Sequence, residues 1–372
     1  MSDQGASLVP VARPSLAGRI VLRCAGAAVH ASLIVTPRGA ALLARRAFAS
    51  GGAKTAQALA RHAPPGVTVL ADQRYGDEND MLLDIARPAW ASGPLPLVAW
   101  VHGGGWVGGS KEELTSYFKL IASHGYAVAG PRYSLAPEHH YPVPPRQVMA
   151  ALGYLQANAG RLGIDPDRVV IAGDSAGAQI AAQLGALVTT PGYAQAAGIA
   201  PTITAAQLRG LVLACGAYDL ALAREPSTPT GRTFIKAILW AYSGTRHFSD
   251  APSFATWPVT GHLSPAFPPA LITVGNADPL RPHSELLAGK LRAQGSEVET
   301  VFWPASQQPP LGHEYQFDLD TGPGQHFLER TLTFLRQRLA APPQQQALLP
   351  QRAGHGSVGG TGQVGRAPTW PR

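Results

Sequence analysis

Cysteine is scarce in this 372-residue chain: Cys24 and Cys215 are the only two. Two cysteines cannot build a disulfide framework or a cysteine-based zinc cluster, and each reads as a small buried apolar side chain rather than a reactive thiol. Long apolar runs are missing too. The longest window near the N-terminus without Arg or Lys is CAGAAVHASLIVTP, residues 24–37, which falls short of the ~20 apolar residues of a membrane-spanning helix. As a secretory leader it would have an overlong charged region and no clear A-x-A cleavage site, so a cytoplasmic protein is the expectation. No unit recurs at the roughly 20–50-residue periods that mark solenoids and propellers. One further absence is local: from Glu113 to Glu138 the chain has no intervening acidic residue.

Net charge is +7, which at face value suits an acidic partner such as nucleic acid. Its distribution argues otherwise. Residues 1–63 hold eight Arg and Lys against Asp3 alone, and residues 341–372 hold three Arg and no acid, leaving 19 bases against 22 acids between them. The central region is mildly acidic, so no nucleic-acid partner is expected. The basic N-terminal segment, with ALLARRAF and AKTAQALARH, has the pattern of a helix that can touch a membrane surface.

Hydrophobic residues make up 45% of the chain, enough for a large α/β domain with a buried core. From about residue 80, apolar runs alternate with helical stretches. MLLDIARP, PLVAWVH, YAVAGPRY, RVVIAGDS, LRGLVLACGAY, PALITVG and VETVFWP read as strands. KEELTSYFKLIASH, PPRQVMAALGYLQANAGRL, AGAQIAAQLGALV, HSELLAGKLRAQ and HFLERTLTFLRQRL read as helices, the first with a capping box of Ser110 and Glu113. Such alternation predicts a mostly parallel central sheet with helices on both faces. Three divisions follow: a basic helical segment over 1–66 that is either cap or surface-associated, an α/β domain over 67–340 whose helical cap comes from that segment and an insertion at 222–262, and a Pro/Gln/Gly-rich disordered tail over 341–372.

Two glycine motifs carry chemistry. HGGGWVGG, residues 102–109, formally contains the dinucleotide fingerprint G-x-G-x-x-G between a strand and a helix. That reading requires an acid about 20 residues on to bind ribose hydroxyls, and the acid-free stretch after Glu113 denies it; only a phosphorylated ribose held by Arg132 would remain. GDSAG, residues 173–177, follows the strand VVIA and opens a helix, which is the setting of a nucleophile elbow. There Ser175 must occupy a strained turn that lifts its hydroxyl above the sheet. Acyl transfer develops an oxyanion that needs converging backbone N–H donors. The amides of Gly103, Gly104 and Ala176 are the candidates for that oxyanion hole, with His102 anchoring the loop.

HGGGW, RYSLAPEHHYP (132–142), GDSAG, VGNADPL (274–280) and GHEYQF (312–317), in this order, resemble the hormone-sensitive-lipase-like, bacterial esterase/lipase branch of the α/β-hydrolases over roughly residues 70–340. Ser134 and Glu314 depart from the family pattern. A serine nucleophile needs a base and the base an orienting carboxylate, in the chain order Ser, Asp or Glu, His. His313 lies between the last strand and the last helix and is the expected base. Asp278 directly follows the strand PALITVG and is the expected acid, with Asp219 in GAYDL as the alternative. Asp174 is expected to be structural, and in the resembling family Glu138 and Arg132 would hold the oxyanion loop by buried polar contacts. Trp106, Phe234, Leu239, Trp240 and Tyr242 are candidates for an acyl or alcohol pocket; the plainer alternative is that they pack the cap.

The expected activity is therefore hydrolysis of a small-molecule carboxylic ester through a Ser-His-Asp acyl-enzyme, with no metal and no organic cofactor. A short acyl chain is implied by the resemblance alone. Other acyl substrates (peptide, lactone, amide, feruloyl ester) and a non-catalytic small-molecule receptor are the competing readings.

Overall fold

The computed structural model describes residues 37–219, 221–222 and 229–340; Cys24, most of the apolar window and the expected tail lie outside them. Among the described residues no helix is long and apolar enough to cross a membrane.

Eight strands form one sheet in the order β1-β2-β4-β3-β5-β6-β7-β8. They are β1 (Val67–Arg74), β2 (Leu82–Pro88), β3 (Leu95–Val101), β4 (Ala127–Pro131), β5 (Ile164–Asp174), β6 (Leu208–Ala214), β7 (Ala270–Val274) and β8 (Val298–Phe302). β1 and β2 run antiparallel and all pairs from β4 to β8 are parallel. All residues of β3, β4 and β7 are buried, as expected of parallel strands covered on both faces by helices. The seven expected strands are all present. β1 is an addition to them: in VTVLADQR the alternation of half-buried and exposed positions lasts only four residues before it breaks, as befits a mostly exposed edge strand.

The helices are α1 (Pro37–Ala60), α2 (Thr115–Ala122), α3 (Val143–Ala157), the single turn α4 (Ala159–Leu162), α5 (Ser175–Thr189), α6 (Pro191–Ala197), α7 (Pro229–Ser243), α8 (Arg281–Ala293) and α9 (Gly322–Arg338). The capping box forms by half. Glu113 accepts the Ser110 N–H, but the Ser110 hydroxyl caps no helix and turns to Glu112. The first turn is consequently a tight 3-10 turn over Lys111–Leu114 before α2 begins. The basic segment supplies α1, whose Ala40, Ala41, Ala44 and Leu59 are buried and which packs on α7 and on the turn before α2. The 222–262 insertion supplies α7 and three short 3-10 turns.

One buried cation ties the antiparallel edge to the loop that precedes α2. Lys111, 2% exposed, places Nζ 2.7 Å from Asp84 of β2, and 3.0 Å from both Asp72 of β1 and Glu112. Burial disfavours its charged form, but these carboxylates outweigh burial and hold the ammonium above its ordinary pKa. Lys111→Met is expected to lower unfolding free energy by about 3–5 kcal/mol, because Asp84 then stays buried without its cation. Adding Asp84→Leu should return part of that loss; identical urea midpoints for wild type and Lys111→Met would refute the account.

Candidate active site

β5 ends at Asp174 and α5 begins at Ser175 with no residue between. The turn is strained: Ser175 has φ +50°, a left-handed conformation that costs a non-glycine residue roughly 1–3 kcal/mol. Gly177 makes the tight turn sterically feasible, since a Cβ there would strike the carbonyl of Val101 on β3. In this conformation Ser175 Oγ lies 2.9 Å from His313 Nε2, and His313 Nδ1 lies 2.9 Å from Asp278 Oδ2. His313 and Asp278 come from the loops after β8 and β7, at the carboxyl edge of the sheet where such folds place their ligands. Asp219, the alternative acid, is engaged elsewhere: it accepts the Thr260 hydroxyl, and its N–H donates to His283 Nδ1 at 3.2 Å.

Electrostatics make His313 a strong base. Burial opposes its imidazolium, but Cys215 and Asp278 outweigh that and raise its pKa well above the ordinary value. Burial pushes the Cys215 thiol up, and Asp278 Oδ2 stands 2.9 Å from His313 Nδ1. Among the described residues, Cys215, Asp278 and His313 also form a group compact enough for a metal ion. Both His313 nitrogens are already engaged by Asp278 and Ser175, however.

The glycine loop departs from expectation at Gly103. Its N–H donates to Asp174 Oδ2 at 2.8 Å, while Trp100 Nε1 donates to Asp174 Oδ1 at 2.8 Å. The Gly103 amide is thus occupied and cannot also meet an oxyanion. Gly104 and Gly105 line the cavity over Ser175, and no partner is assigned to the N–H of either. Ala176 sits in the first turn of α5, where amides lack helical partners. Gly104 has φ +106° and a Cβ on it would collide with the backbone at Gly108 and Gly109, so the close turn needs glycine. Asp174 is structural, as expected, and His102 Nδ1 anchors on the Gly103 carbonyl at 2.8 Å.

Glu138 and Arg132 hold the loop region from the surface rather than by buried contacts. Glu138 pairs with Arg45 of α1, and Arg132 pairs with Glu112. Arg45 itself donates to the carbonyls of Val107 and Ala136, which locks α1 onto the loop.

The cavity beside Ser175 measures about 200 Å³. None of the five aromatic and aliphatic candidates lines it. Trp106, Leu239 and Tyr242 are buried in the core between the insertion and the sheet, with the Trp106 and Tyr242 rings stacked at 4.8 Å. Phe234 packs edge-on against Phe48 at 6.3 Å, and Trp240 lies under the Arg246 guanidinium. They pack the cap because a mostly apolar α7 needs a buried face before a ligand does. The apolar wall comes instead from Phe48, Ala47, Gly51 and Gly52 of α1.

Three carboxyl groups also line the cavity: Glu113, Asp174 and Glu314. Glu113 belongs to the capping box and Glu314 to GHEYQF, and neither motif marks its glutamate as a cavity residue. Burial and the facing Glu314 raise Glu113 to about 7, and burial together with Glu314 holds Asp174 well above the usual carboxylate range. A dinucleotide phosphate would meet these acids with no lining Lys or Arg among the described residues, and Arg132 is paired with Glu112, which speaks against that reading.

Comparison with known proteins bears on the fold and on the family. Residues 98–308 match the profile of a family described by the alpha/beta hydrolase fold. Carboxylesterase NlhH of Mycobacterium tuberculosis is 29% identical over 276 residues, covering 72% of this chain and 83% of that protein. Esterase LipC of Mycobacterium tuberculosis is 28% identical, covering 68% of this chain and 62% of that protein. Among solved structures, esterase B from Lactobacillus rhamnosis superposes with a TM-score of 0.68 at 24% identity, over 84% of this chain and 98% of that one; at that identity the likeness speaks for the fold.

An imidazole held up by one carboxylate is checked by NMR titration of the His313 ring. Its midpoint should lie above the ordinary histidine value, and Asp278→Asn should lower it by about 1–3 pH units. A midpoint unmoved by Asp278→Asn would contradict the assignment.

Proposed function

Since the chain belongs to the alpha/beta-hydrolase-fold family, in its hormone-sensitive-lipase-like branch, we propose that this cavity hydrolyses carboxylic esters through an acyl-enzyme on Ser175. The observation that carries the proposal is the unbroken chain from Asp278 through His313 to Ser175, with both contacts at 2.9 Å. Ser175 Oγ attacks the acyl carbon as His313 Nε2 takes its proton. Asp278 holds the ring and offsets the imidazolium charge. The oxyanion meets the amides of Gly104, Gly105 and Ala176; relative to the sequence-based assignment, Gly105 replaces Gly103. His313 then gives its proton to the departing alcohol, and water repeats the cycle on the acyl-enzyme. The relatives' names, carboxylesterase and esterase, support an ester over a peptide, amide or lactone.

A cavity of about 200 Å³ is below the usual range for drug-sized ligands, which favours short acyl chains. Peripheral membrane contact through α1 is a finer reading, favoured by Leu42 and Leu43, which stand 51% and 40% exposed beside exposed Arg46. Leu42→Asp with Leu43→Asp should reduce sedimentation with anionic vesicles; equal partitioning of variant and wild type would sink this contact.

A fluorophosphonate should label the wild type and leave Ser175→Ala unlabelled, and that variant should lose about 10⁶-fold in kcat. Among p-nitrophenyl esters, kcat/KM should fall at least about tenfold from butyrate to decanoate, as chains outgrow the cavity. Because only neutral imidazole accepts the Ser175 proton, activity should rise with pH as His313 deprotonates. Turnover unchanged in Ser175→Ala would refute the mechanism.

A further inference from the structure

Among the described residues, the cavity beside Ser175 is lined by five titratable side chains, His102, Glu113, Asp174, His313 and Glu314, and by no Lys or Arg. Three cations on neighbouring elements are engaged, Arg45 with Glu138, Lys111 with Asp72, Asp84 and Glu112, and Arg132 with Glu112, while Arg46 and Lys54 of α1 are exposed and do not line the cavity. Asp174 Oδ2 and Glu314 Oε1 both stand against Gly103, and burial together with Glu314 holds the Asp174 carboxyl well above the usual carboxylate range. Glu113 faces them from the turn before α2, where the Ser110 N–H is its hydrogen-bond donor. Glu314 Oε1 stands 4.0 Å from His313 Nε2, beside the position where the leaving group must accept its proton.

A second observation concerns His102 in the same cavity wall. Burial lowers its pKa to about 4, so the ring is neutral. Its Nδ1 faces the Gly103 carbonyl at 2.8 Å and therefore carries the proton. Nε2 is thus a bare acceptor, in a side chain only 2% exposed, and it has no partner. Carboxylates and an unpaired acceptor share one complement, a cationic N–H donor.

We propose that Glu113 and Glu314 form a cation subsite, which makes esters bearing a protonated amine the preferred substrate class of this cavity. The inference rests on the ester-hydrolase reading above. Attack by Ser175 turns a neutral carbonyl into an oxyanion inside a cavity that already holds negative charge. A substrate ammonium between the carboxylates and the oxyanion offsets both. The advantage grows as the oxyanion forms, so it raises kcat/KM rather than ground-state affinity alone.

The test compares two esters of nearly equal shape, 3-(dimethylamino)propyl butyrate and its uncharged counterpart 4-methylpentyl butyrate, at about pH 8, where the amine stays protonated and Glu113 is ionised. Within each protein the readout is the ratio of the two kcat/KM values, so any general loss of activity cancels. In the wild type the cationic ester should be favoured by about tenfold or more at low salt, and the margin should shrink at high salt as the charges are screened. Glu314→Gln and Glu113→Gln should each cut the ratio severalfold, and the double variant should bring it close to one. The two residues lie on separate elements, so if one variant fails to fold the other still decides.

A wild-type ratio near one, or a preference that survives both substitutions, would overturn the subsite. If the neutral ester turns over without any charge preference, the ester-hydrolase reading stands and only the subsite falls. If neither ester turns over and the fluorophosphonate leaves Ser175 unlabelled, the underlying reading fails.

Discussion

The Asp174 carboxylate organises the site. From the last position of β5 it reaches across to Trp100 on β3 and to the Gly103 amide, one donor on each oxygen at 2.8 Å. These two hydrogen bonds fix the glycine loop relative to the elbow. Because Gly103 is committed downward to Asp174, the next two amides are left at the cavity wall above Ser175. The position of the oxyanion hole therefore follows from the nucleophile's own neighbour. The same residue also meets Glu314, so loop geometry and cavity charge share one carboxyl group.

Charge in the cavity is distributed by burial as much as by residue type. His102 is kept neutral, His313 is biased toward its protonated form, and Glu113 is brought to about 7. A neutral anchor, a poised base and a set of incompletely ionised acids thus sit around one hydroxyl. Shifts of this kind concentrate where proton transfer occurs. The roof over them is α1, which Arg45 pins to the carbonyls of Val107 and Ala136. A segment whose basic composition first suggests a membrane or an acidic partner spends at least one of its arginines on loop carbonyls.

Ser175 and Asp278 stand out in the sequence because they lie at or just past the ends of strands, and His313 because it falls between the last strand and the last helix, in an order that the elbow motif constrains. The edge strand β1 was not legible, since an exposed strand lacks the apolar periodicity that reveals one. Trp106, Leu239 and Tyr242 were misplaced for a related reason. Apolar character marks a residue for burial, but leaves open whether it is buried against a ligand or against its own core, and Trp106 stacks on Tyr242 at 4.8 Å. Glu113 and Glu314, about 200 positions apart in the chain, meet in the cavity without any pattern linking them.

The sequence by itself determined the fold class, and it pointed to Ser175, His313 and Asp278 as candidate nucleophile, base and acid with a glycine loop beside them. These depend on local steric needs and on chain order, which a linear string records. Only the tertiary structure decided which amides of the loop are free, which helix roofs the cavity, and what charge the cavity carries. Those properties arise from side chains brought together across the sheet, where hydrogen-bond competition for Gly103 and the mutual proximity of carboxyls depend on distances of a few ångströms that sequence spacing does not encode.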